Sequence, residues 1–264
     1  MIEIIIIVVI FALIFELTDS AAGMGFGTAL SPLLLLLGYA PLQVVPTILI
    51  SETMTGFIDA FFDHELKNVR FSFRPLNEAT KFALLMGIFG CMAIFVSITL
   101  GYLAIAISKE FIKVYVAILL LFMGIFGVIR LKMPDVIKVS RRPKLLIGFA
   151  ALAGFNKGIG GGGYGPVVTM GQIFSGIYEK SATAIVSLSE AMVSLTGIAT
   201  FFLISSATLV IDLSLLPSVL LGSFFAALVS PFLVRIVPNK VWKILIPLYA
   251  IGIGIGALFF GLSG

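Results

Sequence analysis

Long runs of apolar residues, separated by short polar segments, dominate the chain. A helix needs about twenty apolar residues to cross the roughly 30 Å hydrocarbon core of a bilayer. Runs of sufficient length lie near residues 2–21, 44–62, 79–107, 111–130, 181–206, 212–236 and 240–263. These runs lack the apolar–polar alternation of outer-membrane barrel strands. The pattern therefore predicts an all-α membrane protein, folded as a polytopic helical bundle.

Two further apolar regions, 23–38 and 145–176, are interrupted by glycine and proline. The second contains "FNKGIGGGGYGP" at Phe155–Pro166. Glycine weakens a helix and proline removes a backbone donor, so each region is predicted to be a broken helix or a re-entrant hairpin. Irregular backbone at membrane depth is tolerated only against protein or a water-filled cavity. We therefore expect both breaks to be satisfied in one of these two ways.

Composition and charge agree with a membrane location. Of 264 residues, 60% are hydrophobic and 11% are charged, and the mean hydropathy is +1.19. A soluble domain is typically about 25% charged. Lysines and arginines concentrate in the loops 63–81, 130–144 and 235–243, which predicts that these loops are cytoplasmic and that both termini lie outside. The net charge of +4 is thus an orientation signal and does not indicate nucleic-acid binding.

The chain also carries a weak internal repeat. "GFGTALSP" at Gly25–Pro32 is similar to "IGGGGYGP" at Ile159–Pro166, and "SETM" at Ser51–Met54 is similar to "SEAM" at Ser189–Met192. The basic loops place the start of the first copy outside and the start of the second inside, so the copies are predicted to be inverted. Inverted repeats with broken helices are common in secondary transporters. The predicted domains are a first repeat over 1–130, a cytoplasmic connecting loop over 131–143 and a second, inverted repeat over 144–264.

Two glutamates, Glu52 and Glu190, lie inside apolar spans at matching positions of the repeat, each preceded by a serine. An ionised acid at the bilayer centre costs about 2.5–3.5 kcal/mol on insertion scales, so such a residue needs a compensating role. We predict that both glutamates bind the protons that couple to transport. The alternative is that they are structural acids whose hydrogen bonds hold two helices together.

The second glycine motif begins with Asn156 and Lys157, and two interpretations of the lysine remain open. It contacts an anion, or it extends along apolar surface to the cytoplasmic interface. Glycines leave backbone N–H groups uncovered, and a helix starting near Pro166 would direct its positive end towards them. No strand precedes the motif and no Gly-Lys-Ser/Thr follows, which argues against nucleotide binding. The predicted substrate-binding residues are Asn156, Lys157, Gly158, Gly160, Gly161, Gly162, Gly163, Gly23, Gly25, Gly27, Thr28, Ser51 and Ser189.

Other reactive side chains give little indication of catalysis. Glu16, Asp19 and Asp59 are expected at the ends of spans, facing the interface or solvent. His64 lies in a loop and Cys91 lies inside an apolar span, so no metal site and no structural disulfide is predicted. No catalytic group of side chains is found, so neither enzyme activity nor a cofactor is predicted. The expected partners are a small anion and the lipid bilayer, without nucleic acid, and a homodimer is compatible with the sequence.

The repeated glycine-rich breaks, Gly23–Pro32 and Gly158–Pro166, resemble those of the sulfite exporter TauE/SafE family, also called the 4-toluene sulfonate uptake permease family. The resemblance covers nearly the whole chain, although Met24, Phe26, Thr28 and Ala29 interrupt the first glycine run. It implies a transporter of sulfite, thiosulfate or organosulfonates in the bacterial inner membrane, with export favoured. A channel for small anions or neutral solutes is the main alternative, and a membrane enzyme or assembly factor is the third.

Overall fold

A computed structural model describes residues 4–23, 25–104, 143–177, 179–205 and 210–238, together with parts of two helical stretches, 111–129 and 240–259. The described residues are predominantly helical, and their only β-type pairing is an isolated bridge between Phe73 and Leu76. The helices are α1 (Ile6–Ala22), α2 (Ser31–Leu36), α3 (Pro41–Glu65), α4 (Glu78–Ile98), α5 (Pro143–Gly160), α6 (Tyr164–Phe174), α7 (Glu179–Ile204) and α8 (Leu216–Ile236). π-Helical turns at Phe26–Leu30 and Thr99–Ala104 precede α2 and follow α4.

Four of the described helices are long and apolar enough to cross a membrane: Pro41–Glu65, Glu78–Leu103, Ser181–Ile204 and Leu216–Leu233. They confirm the all-α, multi-pass prediction for the corresponding runs. Large apolar side chains on the outside of the bundle, such as Phe202, Leu203 and Ile236, are more than half exposed, as expected for lipid contact. The predicted connecting loop, apart from Pro143, lies outside the described residues, as do parts of the spans predicted at 111–130 and 240–263.

Helix α3 lies at the centre of the described bundle. It packs against α7 and α8, while α1 packs against α8, and α4 packs against both α5 and α7. Small residues allow the backbones to approach closely, as is usual between membrane helices. A Cβ atom on Gly154 of α5 would overlap the backbone of Gly90 in α4, and a Cβ on Gly56 of α3 would overlap the backbone of Ser187 in α7.

Both predicted glycine-rich breaks are present as interruptions of helix. Helix α1 ends at Gly23, whose φ of 69° is left-handed, and the π-helical turn and α2 follow. Helix α5 runs through Gly160 before Gly161 and Gly163 adopt φ values of 74° and 87°. The break in the second motif is therefore shorter than its glycine content suggests, because Gly158 and Gly160 are helical. Helix α6 begins at Tyr164, two residues before the proline where the sequence predicted its start.

Candidate functional site

The two glycine-rich breaks lie directly against each other. The backbone N–H of Gly163 donates a hydrogen bond to Oγ1 of Thr28 at 3.1 Å. The hydroxyl of Ser31 donates to the carbonyl oxygen of Gly160. A Cβ atom added at Gly162 would overlap the carbonyl of Gly27, so only glycine permits this approach. The sequence-predicted residues Gly27, Thr28, Gly162 and Gly163 are thus brought together, from segments more than 130 positions apart in the chain.

Lys157, on the last turn of α5, is fully buried beside these breaks. Its Nζ atom forms an ion pair with Oε2 of Glu52 on α3 and lies 2.6 Å from Oε1 of Glu190 on α7. The ring centroid of Tyr164 lies 5.8 Å from the same nitrogen. We call Glu52, Lys157 and Glu190 the triad. The alternative that Lys157 extends to the membrane interface is wrong, because its side chain has no exposed surface.

The packing of α3 against α7 explains how the two glutamates meet. Gly56 lets the two backbones approach closely, so the acids on these helices converge on one ammonium group. The hydroxyl of Ser194 lies 3.4 Å from Oε2 of Glu52, and a Cβ at Gly27 would overlap Oε1 of the same residue. Glu52 therefore connects the triad to the first glycine break.

Asn156 is buried next to the triad lysine but makes different contacts. Its Oδ1 accepts a hydrogen bond from the hydroxyl of Tyr115, and its Nδ2 has no hydrogen-bond partner among the described residues. An amide N–H₂ group is a donor only, so this nitrogen can satisfy its hydrogen-bonding capacity with an anion or with water. A buried donor without a partner is uncommon and needs a reason.

Several predicted binding residues make hydrogen bonds or close contacts outside the triad. Ser51 shares a hydrogen bond with Ser223 of α8 at 2.5 Å, and Ser189 donates to the carbonyl of Val186 within its own helix at 3.0 Å. Gly158 packs against Ser97 of α4. Gly25 packs against the end of α1, where a Cβ atom would meet Thr18. These four positions support the helix packing around the site.

A family model described as "Sulfite exporter TauE/SafE" matches residues 7–259. The chain belongs to this family. The match covers both glycine-rich breaks and all three members of the triad. No curated protein and no solved structure gave a significant match to the chain.

Membership of the TauE/SafE family identifies the chain as a multi-pass membrane protein of a family of sulfur-anion exporters. The triad is a buried group of three charged side chains beside the two breaks. Its geometry also has a chemical consequence for an anion carrier. The one ammonium of the triad is already paired with two carboxylates, so an anion can reach it only when these carboxylates release it or lose their charge.

Next to the triad lies a cavity of about 10 Å³, which is close to the minimum that holds one water molecule. Five carboxyl groups line it, from Glu16, Asp19, Glu52, Asp59 and Glu190. The expectation that Glu16 and Asp59 face the interface or solvent is wrong, since each is only 2% exposed. Asp19 is partly exposed, yet it also lines this cavity.

The same acids form a group that could hold a metal ion. One carboxylate oxygen from each of Asp19, Glu52 and Glu190 lies within 4.8 Å of the others. Spacing along the sequence did not indicate this grouping of acids. The Lys157 ammonium, however, already bonds to Glu52 and Glu190 and supplies their positive counter-charge. A metal ion would have to compete with this ammonium, which disfavours a resident metal.

A helical period in the sequence could have revealed the additional acids. Glu52, Thr55, Asp59 and Asp63 follow at intervals of three or four residues, which places them on one face of α3. All four are buried. The distance of each acid from the end of its span predicted a solvated environment. The acids are buried instead, because burial here depends on the helix face on which each acid lies.

Proposed function

We propose that the chain is a secondary transporter of a small sulfur-containing anion, namely sulfite, thiosulfate or an organosulfonate, across the bacterial inner membrane. Transport is export coupled to protons. Access to the site alternates between the two sides as the inverted repeats, 1–130 and 144–264, move against each other. The chain is a carrier without enzyme activity in this proposal.

The observation that carries this proposal is the triad at the junction of the two breaks. Protonation of Glu52 or Glu190 removes the negative charge that holds the Lys157 ammonium. The ammonium then attracts an anion, whereas ionised glutamates compete with that anion for the same positive charge. Proton binding and anion binding therefore favour each other, which is the thermodynamic requirement for coupling.

Donors for an anion are available close to this ammonium. The Nδ2 of Asn156 has no partner among the described residues and lies one position before Lys157. The N-terminus of α6 follows the second break directly, although the N–H groups of Gly161 and Gly163 in that break already donate to Lys157 and Thr28. A small oxyanion with three or four acceptor oxygens suits such a set of donors.

The small volume of the cavity beside the triad supports a carrier over a channel. The cavity beside the triad has room for about one water molecule, which is too small for a sulfur oxyanion. Passage of the anion thus requires the surrounding helices to move for each turnover, as alternating access demands. A channel would need a path that stays open during conduction.

The membrane potential supports export as the direction. A bilayer that is negative inside drives an anion outward with about 2.3 kcal/mol per unit charge and 100 mV. A doubly charged anion that leaves with one proton still carries a net negative charge outward. This stoichiometry couples transport to protons while the potential continues to favour export.

Purified protein in liposomes tests the proposal directly. Vesicles loaded with radiolabelled thiosulfate, sulfite or an organosulfonate should exchange label with external anion, with rates that saturate at high concentration. Protein-free vesicles and vesicles with the variant Lys157→Met serve as controls. Failure to exchange any of these anions at every pH tested would overturn the substrate class, and unsaturable flux with single-channel conductance would establish a channel.

A further inference from the structure

A second pair of buried acids lies outside the triad, between α1 and α3. The hydroxyl oxygen of Ser20 lies 2.5 Å from Oδ2 of Asp59 and 3.2 Å from Oε1 of Glu16. A serine hydroxyl carries a single hydrogen, so it can donate fully to only one of these acids. The other contact becomes a hydrogen bond when the acid carries a proton and donates it to the serine. A proton held by Glu16 or Asp59 would therefore complete both hydrogen bonds.

The pair is also connected to the triad through the cavity. Both Glu16 and Asp59 line the cavity, and so do Glu52 and Glu190 of the triad. The Oε2 atom of Glu16 is buried and has no hydrogen-bond partner among the described residues. Burying an acceptor without a partner is costly, and the neighbouring space is close to that of one water molecule. A water molecule there would satisfy Glu16 and join it to the acids of the triad.

From Asp59, further buried polar groups continue along α3 towards its C-terminal end. Asp63 follows Asp59 by one helical turn and is buried, and its Oδ1 accepts a hydrogen bond from Nδ2 of Asn68 at 2.7 Å. Asn68 belongs to the basic loop 63–81, which the charge pattern predicts to be cytoplasmic. The hydroxyl of Ser230 on α8 holds the second oxygen of Asp59 at 3.1 Å. Proton-binding groups thus extend from the triad to the loop end of α3.

We propose that Glu16, Ser20 and Asp59 form a proton relay between the loop end of α3 and the triad, with a water molecule in the cavity as the last link. A proton passes from Asp63 to Asp59. Asp59 gives its proton to the Ser20 oxygen while Ser20 gives its own hydrogen to Glu16. Glu16 then protonates the cavity water, which donates a proton to Glu52. Each step transfers a net of one proton, the Ser20 step by the concerted shift of two hydrogens, and no bond between heavy atoms changes.

The relay operates among charged groups from several helices. Asp19 on α1 and Glu52 on α3 act on Glu16, and Asp63 on α3 and Glu190 on α7 act on Asp59. Lys157 on α5 acts on the neighbouring Asp19. Helix α8 contributes the neutral Ser230. Acids outnumber the lysine in this group, so the group needs bound protons to limit its negative charge. The inference rests on the proposed function, because a relay has a role only when transport is coupled to protons.

The test separates proton movement from anion exchange. Liposomes carrying the protein and an internal pH-sensitive dye receive external thiosulfate, which stays fully ionised near neutral pH and brings no proton of its own. Anion exchange is measured in parallel with radiolabelled thiosulfate on both sides. For Asp59→Asn and Ser20→Ala, we expect thiosulfate-driven proton movement to fall by at least about tenfold, a typical effect of losing a proton-transfer group, while exchange stays near the wild-type rate. The variant Ser20→Thr, which keeps the hydroxyl, should restore proton movement.

Matched controls are available on the same helix. Glu65→Gln removes an exposed acid of α3, and Thr53→Ala removes a hydroxyl that donates to the Leu49 carbonyl of its own helix. Both should behave like the wild type. Proton movement at the wild-type rate in Asp59→Asn and Ser20→Ala would overturn the relay, and so would an equal loss of exchange and proton movement. If Asp59→Asn does not fold, the Ser20 variants decide the question. Absence of exchange in the wild type would instead overturn the proposed function.

Discussion

The Nζ atom of Lys157 lies 2.6 Å from Oε1 of Glu190, in an environment that leaves the lysine no exposed surface. The second carboxylate, from Glu52, approaches the same nitrogen from another helix. One buried cation therefore joins α3, α5 and α7. Such a contact affects folding and transport together, and the two effects can be separated experimentally.

The first prediction concerns the stability that this cation provides. Lys157→Met leaves two buried carboxylates without a counter-charge, and breaking a buried ion pair in this way typically costs about 3–5 kcal/mol. We expect a clearly lower Tm in detergent, measured by thermal unfolding of the purified protein. The triple variant with Glu52→Gln and Glu190→Gln removes the unpaired charges and should recover most of this loss without restoring transport. Lys81→Met, at an exposed lysine of α4, should unfold like the wild type.

The second prediction concerns the pH dependence of anion binding. The carboxylates around Lys157 compete with the anion for its ammonium, so wild-type affinity for thiosulfate should weaken as the pH rises. Glu52→Gln and Glu190→Gln each remove one competitor and should flatten this dependence. Titrations of thiosulfate binding between about pH 5 and 9 measure the effect. Superimposable pH profiles for all three proteins would make the glutamates purely structural acids.

The third prediction concerns the free donor of Asn156. A hydrogen bond to a charged group contributes about 1.5–3 kcal/mol, so Asn156→Ala should weaken substrate binding by roughly tenfold or more if Nδ2 contacts the anion. Tyr115→Phe provides the matched comparison, because it removes the partner of Oδ1 and leaves Nδ2 in place. The dissociation constant for thiosulfate should rise much more in the first variant than in the second. Equal effects would show that Asn156 acts through its contact with Tyr115.

The fourth prediction concerns the contact between the two breaks. Gly162→Ala places a methyl group where the Gly27 carbonyl lies, and overpacking of this kind costs about 1–3 kcal/mol or more. We expect lower thermal stability and a loss of anion exchange in liposomes. Gly148→Ala on α5 is the control, since a methyl group there meets open space. Alanine at this helical position should leave exchange unchanged and raise stability by up to about 1 kcal/mol.

The sequence indicated the residues of the candidate site better than the contacts between them. Apolar runs predicted the long helices, glycine-rich segments predicted the breaks, and the repeated Ser-Glu pairs marked Glu52 and Glu190. Lys157 was recognisable because it is an isolated cation between apolar segments. Its two partners were not, because they depend on the rotation of α3 and α7 about their axes. Hydropathy reports how deep a residue lies along a span and contains no information about which neighbour it faces.

The pairing of acids between α1 and α3 was likewise not predictable from hydropathy. Glu16 and Asp59 lie near the ends of apolar runs, and such positions are usually solvated. In the folded chain α1 and α3 pair these ends through Ser20, so both acids are buried. Only knowledge of the helix packing predicts that pairing, whereas the shared face of Glu52, Asp59 and Asp63 follows from the helical period alone.

The approach of Gly27 and Gly162 involves main-chain atoms only. The shape of such a main-chain contact does not depend on the surrounding side chains. Substitutions of those side chains therefore cannot adjust the contact in small steps. Under the proposed function, a change of substrate would then come from the side chains around this point, such as Asn156 and Thr28. In the proposed transport cycle, substitutions of these side chains alter substrate choice while the main-chain contact between Gly27 and Gly162 is kept.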